Sequence, residues 1–252
     1  MGAGETRTYT FSLGADVKLV KVRLYGPGAA LFGRDNVYGR DYLSVLVWGS
    51  QISLRISFIV VASSVLIGVV LGGLAGYLGG RVDELVMRIT DVFLAIPGLI
   101  LAMGVAAVLT RSLDNIMYAL VIVSWPGYTR LIRAQALSVR ESLFVEAARA
   151  VGVPEGRIIM RHVIPNCLSP VLVAATLDIG GIVLTAAALS FIGFGALPPT
   201  PEWGLLINEG TALVGTAWWL VTLPGIMIFI FVLGFNLFGD GLRDILDPKL
   251  RQ

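Results

Sequence analysis

Asp91 and Asp178 are carboxylates set in otherwise apolar stretches of the chain. An ionisable group in hydrocarbon is costly and therefore a functional candidate, and the chemistry open to it is ion or proton coupling. Each also has a plainer reading. Asp91 lies three residues from Arg88, so the two can pair on one helix face, and Asp178, beside Gly180 and Gly181, can serve an interhelical hydrogen bond. The third group of candidates is a charged island, Glu146–Pro165, EAARAVGVPEGRIIMRHVIP. Its residues suit docking rather than bond-making. Phosphate-binding and hydrolytic motifs are missing. The lysines Lys18, Lys21 and Lys249 follow Val17, Val20 and Pro248, so there is no Gly-Lys of a P-loop, and no His-Glu-x-x-His accompanies the sole histidine, His162. Any energy drawn from ATP would then have to come through another protein. One cysteine, Cys167, excludes a disulfide within the chain and reads as a packing residue.

The island needs elements to hold it. Phe144, Ala147, Ala148 and Val151 recur at helical spacing. Gly152 is the residue type found just past a helix end, and Pro154 suits the first turn of a second helix. That helix is expected to run through Arg157 and Arg161 until Pro165 stops it. The expectation is an amphipathic, partner-facing hairpin within a loop of about 134–165, the plainer alternative being a loop that lies on the membrane surface.

The chain has 252 residues, 56% of them hydrophobic and 14% charged, with a mean hydropathy of +0.83, too apolar for a soluble globule. A formal net charge of +2 gives no reason to expect nucleic acid. Five membrane spans are expected, at about 56–78, 87–109, 116–132, 168–191 and 218–238, each near the twenty residues a bilayer requires. Gly72-x-x-x-Gly76 permits close helix approach in the first. Pro97 should kink the second. Trp125-Pro126-Gly127-Tyr128 in the third suggests an interface or a kink at a pore. Residues 1–50 are polar. Arg7–Leu13 and Val17–Tyr25 alternate as short strands of a hairpin, and no signal peptide is recognisable.

Basic residues orient the spans. Arg81, Arg88, Arg130, Arg133, Arg140, Arg149, Arg157, Arg161, Arg243, Lys249 and Arg251 fall on one side, against Arg111 alone on the other when residues 1–55 are set aside. The island and the C-terminus are therefore expected to be cytoplasmic, and residues 1–50 extracytoplasmic, ahead of a membrane domain over 51–252.

Four stretches resemble the permease subunits of ABC importers, in the branch that takes up dipeptides, oligopeptides or nickel. Glu146, Ala147, Ala148 and Gly152 match that family's EAA loop, Ile164-Pro165 standing where the family has Leu-Pro and His162 where it has Ile. Gly39, Arg40, Asp41, Leu43 and Ser44 match its G-R-D-x-L-S segment, from which Arg34 and Val45 depart. Leu189–Gly204 carries S-F-I-G-F-G-A-L-P-P-T-P-E-W-G, the most branch-specific signature, and Gly239–Lys249 carries its terminal G-D-G-L-R-D-I-L-D-P-K. Together these cover about residues 33–250.

The resemblance implies an all-α polytopic membrane protein of the type I ABC importer permease fold, multi-pass in the cytoplasmic (inner) membrane. Partners would be a second permease in a heterodimer, two cytoplasmic ATPase subunits, an extracytoplasmic binding protein and the bilayer. ATP and Mg would be bound by the ATPases, with no cofactor in this chain. Glu146, Ala147, Ala148 and Gly152, with Arg149 and Pro165 in the same loop, would form the ATPase contact, and movement of the loop would rock the spans between inward- and outward-facing states. The family's usual first helix has no counterpart before residue 50, so truncation or a misassigned start is expected. The competing reading is an ion-coupled carrier or channel that uses Asp91 or Asp178.

Overall fold

The computed structural model describes residues 7–9, 22–24 and 41–246. The strands Arg7–Tyr9 and Val22–Leu24 pair antiparallel, with Thr8 opposite Arg23. Expectations on the rest of residues 1–40, Gly39 and Arg40 among them, and on 247–252 lie outside the described residues. Everything else is helix and its connections.

The first helix, α1 (Tyr42–Leu78), starts earlier than its apolar run suggests. Asp41 caps it: the carboxylate accepts from the Ser44 amide at 3.0 Å and the Ser44 hydroxyl at 2.7 Å. At 37 residues, α1 is about 55 Å long, beyond what a bilayer core needs. Its Gly68, Gly72 and Gly76 face α4 (Leu113–Arg140). A Cβ at Gly68 would meet Tyr128 Cβ, one at Gly72 the Thr129 carbonyl oxygen, and one at Gly76 would lie 2.6 Å from the Arg133 carbonyl oxygen. Side chains there would force the two backbones apart, so the spacing of small residues lets α1 and α4 pack closely.

The second expected span is broken rather than kinked. Helices α2 (Gly80–Leu94) and α3 (Gly98–Val108) meet at 87°. Pro97 sits at the break with extended ψ of 125°, since its ring crowds the preceding turn and it has no N–H to donate. Two ion pairs tie α2 to α4. Arg133 holds Asp83 through both carboxylate oxygens, the Nη2–Oδ2 bond being 2.6 Å, and Arg130 reaches Asp91 at 2.6 Å. Arg88 pairs instead with Glu84, one turn away, at 2.9 Å. The expected Arg88–Asp91 pair is thus replaced by two others, because α4 brings a second arginine across to Asp91.

After the hairpin come α7 (Ile164–Ile192), α8 (Trp203–Thr211) and α9 (Trp219–Leu246). The terminal signature from Gly239 continues α9, and Gly239 admits Leu177 of α7, whose Cδ2 would lie 2.7 Å from a Cβ there. The proline-rich signature folds α8 back onto the bundle. Glu202 caps α8 by accepting from the Gly204 and Leu205 amides at 2.9 and 2.8 Å. The Trp203 indole is buried, donating to the Leu46 carbonyl at 3.0 Å and packing edge-on against Phe231.

Among the described residues three helices are long and apolar enough to cross a membrane: Tyr42–Leu78, Glu155–Ile192 and Trp219–Leu246. The bent α2–α3 pair counts as a fourth at most. The five expected spans are not all of that kind. The third lies in α4, which is sheltered by α1, α3 and α7 and so carries Asn115, Ser124, Pro126 and Thr129 that a lipid-exposed helix would not tolerate.

Candidate functional site

Helix α4 runs on to Arg140, and a turn at Glu141-Ser142 reverses the chain into α5 (Leu143–Ala150). This helix has two apolar faces with opposite fates. Val145 is fully buried and Ala148 half-buried, packed with Ile158, Ile159 and Val163 as one end of the bundle's main core. Leu143, Phe144 and Val151 are 84%, 46% and 79% exposed, with Ala147 and Ala150 between them and Met160 at 68% beside them. An apolar face left open on a hairpin already anchored by its other face is what a partner-binding surface requires.

Gly152 makes the corner. Its φ is +79°, and the Gly152 and Val153 amides donate to the Arg149 and Ala148 carbonyls at 2.9 and 3.1 Å, which closes α5 in a Schellman turn. A short helix, α6 (Glu155–Ile158), follows Pro154. Pro165 does not stop it. The chain widens into a single π-turn, Ile159–Val163, and passes into α7 with Pro165 in the first turn. The wide turn removes the bond that the proline cannot make and relieves its clash with the preceding turn, so Glu155–Ile192 is one continuous helical rod.

Arg149 is engaged with the end of α1. Its guanidinium lies over the Tyr77 ring, its Nε donates to the Tyr77 hydroxyl at 3.3 Å, and it approaches Glu155 at 3.7 Å. The Tyr77 hydroxyl in turn donates to Glu155. The hydrogen bond to Tyr77 raises the guanidinium pKa above its ordinary value, so the charge persists throughout the accessible pH range. This cluster pins the corner of the hairpin to the end of α1.

A helical bundle with an open-faced hairpin between its fourth and seventh helices finds its match in a known family. Residues 68–252 match the family described as "Binding-protein-dependent transport system inner membrane component". The chain belongs to that family. It is 45% identical over 231 residues, 91% of this chain and 76% of the other, to the dipeptide transport system permease protein DppC of Alkalihalophilus pseudofirmus. It is 48% identical over 228 residues, 90% of this chain and 76% of the other, to the probable D,D-dipeptide transport system permease protein DdpC of Escherichia coli. Among solved structures, an inward-facing form of the MetNI methionine ABC transporter matches with a TM-score of 0.66 at 18% identity, covering 82% of this chain and 98% of that one. That last likeness concerns the fold.

In this permease the expected site residues separate into three groups. Glu146 and Ala147 are exposed on α5 and Gly152 is exposed at its corner, while Ala148 is half-buried and Arg149 is engaged with Tyr77. Pro165 lies at the start of α7. Asp91 is exposed but held by Arg130, and Asp178 is exposed at the midpoint of α7. Tyr77 and Glu155 escaped the sequence reading. Glu155 carries a local signal, an acidic residue in a first helical turn just after a proline, but Tyr77 is 72 residues from Arg149 and nothing in its surroundings announces the contact.

Proposed function

We propose that this permease forms, with a second related permease, the transmembrane path of an ATP-driven importer of dipeptides or oligopeptides. The observation that carries the substrate class is the identity of 45–48% over nine-tenths of the chain to permeases named for dipeptide transport. The open apolar face of α5 is the dock for a cytoplasmic ATPase subunit, with Glu146 at its edge and Gly152 giving the corner. ATP and Mg are held by two such subunits, and an extracytoplasmic binding protein delivers the peptide. In this reading α4 is a span like the other four, the hairpin and the C-terminus lie in the cytoplasm, and closure of the ATPases moves the hairpin and, through the rod Glu155–Ile192, the helix that follows it.

The test is reconstitution of this chain with its partner permease, ATPases and binding protein in proteoliposomes. Uptake of alanyl-alanine that requires both ATP and the binding protein is expected. Uptake that persists without the ATPases would instead establish the ion-coupled carrier, for which Asp178 is the better candidate because Asp91 is held in an ion pair by Arg130.

A further inference from the structure

Asp178 is the sole charged residue of α7 and stands at its midpoint, exposed on a face shared with Gly181, Leu184 and Thr185. The outer stripe of α9 has the composition a lipid-facing surface requires: Ile226, Phe229, Ile230, Leu233 and Leu237 are exposed and uniformly apolar. The α7 face differs, with a carboxylate, a bare glycine and a hydroxyl in one row. Gly181 has nothing within 4 Å of where a Cβ would stand, so the row is open. A carboxylate against acyl chains is costly, and such residues face protein or water.

Behind this row lies Tyr128, near the middle of α4 and 4% exposed. Its hydroxyl is buried and stands beside the Asp178 carboxylate, which is placed to accept its hydrogen bond. Buried hydroxyls are rarely left unpaired. A carboxylate that accepts from a phenol keeps further lone pairs free. Asp178, exposed in this row and held from behind, therefore offers a passing group a negative charge and open acceptor positions, which is the complement of an ammonium with its three donors.

We propose that Asp178, backed by Tyr128, is a station on the translocation path for the ammonium group of a passing substrate, the α-ammonium of a peptide being the one at hand. The substrate class rests on the peptide-importer reading above. The station itself rests on the exposed carboxylate in its open row and on the buried hydroxyl that stands behind it. A single carboxylate makes a loose site, and a path requires sites that bind well enough to admit a solute and weakly enough to release it.

Two measurements on the complete transporter test this. In the first, Asp178→Asn lowers alanyl-alanine uptake about tenfold, as loss of a charged hydrogen bond predicts, while ATP hydrolysis stimulated by the binding protein is retained and Asp178→Glu recovers most of the uptake. Asparagine keeps the shape and a hydrogen-bonding group, so uptake by Asp178→Asn within twofold of wild type, or equal loss in Asp178→Glu, overturns the station. The second needs no peptide. In a Cys167→Ala background, Gly181→Cys is labelled with a trimethylammonium and with a sulfonate methanethiosulfonate reagent. Faster reaction of the cationic reagent, lost on adding Asp178→Asn, supports a water-accessible cation site even if the wild type proves not to carry dipeptides. No labelling, or labelling indifferent to reagent charge, rejects it.

Discussion

The Arg149 guanidinium lies 5.1 Å from the centroid of the Tyr77 ring, so the hairpin is fastened to the last turn of α1. The cluster uses a cation over a ring face and a charge-assisted hydrogen bond in a half-exposed setting, contacts that together contribute on the order of 1–2 kcal/mol. Arg149→Ala and Tyr77→Phe should leave the open face of α5 intact and loosen only its seat. The expected outcome is that ATPases still co-purify while peptide carried per ATP hydrolysed falls several-fold. Arg149→Lys should behave more like Ala than like the wild type, because an ammonium cannot reproduce the planar fork. A hydrolysis-to-uptake ratio unchanged in all three variants would show that the fastening does not transmit force.

Gly152 gives a prediction in which space and conformation separate. Nothing lies within 4 Å of where its Cβ would stand, yet its φ is +79°. Gly152→Ala should therefore cost about 1 kcal/mol from backbone strain alone. Gly152→Asn should cost less, since asparagine tolerates the left-handed region, and Gly152→Val more. Thermal unfolding of the purified complex would rank them, and an order of Val, Ala, Asn from worst to best is the signature of strain. Equal midpoints for all three would mean that the corner opens in the assembled transporter.

The hairpin's two faces can be pulled apart by mutation. Val145→Ala removes two buried methyl groups from the core and should cost about 2 kcal/mol, lowering the melting temperature of the permease whether or not ATPase is present. Phe144→Ala removes a ring that is 46% exposed and should leave the isolated permease nearly as stable as before while weakening ATPase retention in detergent. If Phe144→Ala instead destabilises the isolated permease as much as Val145→Ala, the face is not open and the dock lies elsewhere.

The hairpin's helix, its corner at Gly152 and the small-residue stripe of α1 were legible in the sequence because each depends on local spacing: apolar recurrence, a glycine past a helix end, small residues one turn apart. Two features were misplaced for one shared reason, that a neighbouring helix decided them. Asp91 is taken from Arg88 by Arg130 of α4. Ala148 shares the spacing of Phe144 and Val151 but rolls partly inward with Val145, because Ile158 and Val163 close over that side. Pro165 was misread differently: a proline ends a helix of ordinary register, and one π-turn before it changes that register.

Trp203 turns the branch-specific signature into a statement about packing. It is 1% exposed, and Gly204 beside it approaches α7 so closely that a Cβ would lie 2.6 Å from the Cα of Ala187. The signature thus locks α8 between α1, α7 and α9 on the side of the bundle away from the hairpin. Trp203→Ala should open a cavity and cost about 3–5 kcal/mol, enough to lower the yield of folded permease. Trp203→Phe keeps most of the volume and removes the bond to the Leu46 carbonyl, so it should cost about 1 kcal/mol. Glu202→Gln leaves one carbonyl oxygen where two carboxylate oxygens now accept from the Gly204 and Leu205 amides, and should cost about the same. Melting of the three variants in detergent checks the order. If Trp203→Ala were as stable as wild type but inactive, the tryptophan would be serving the path or the binding protein rather than the packing of α8.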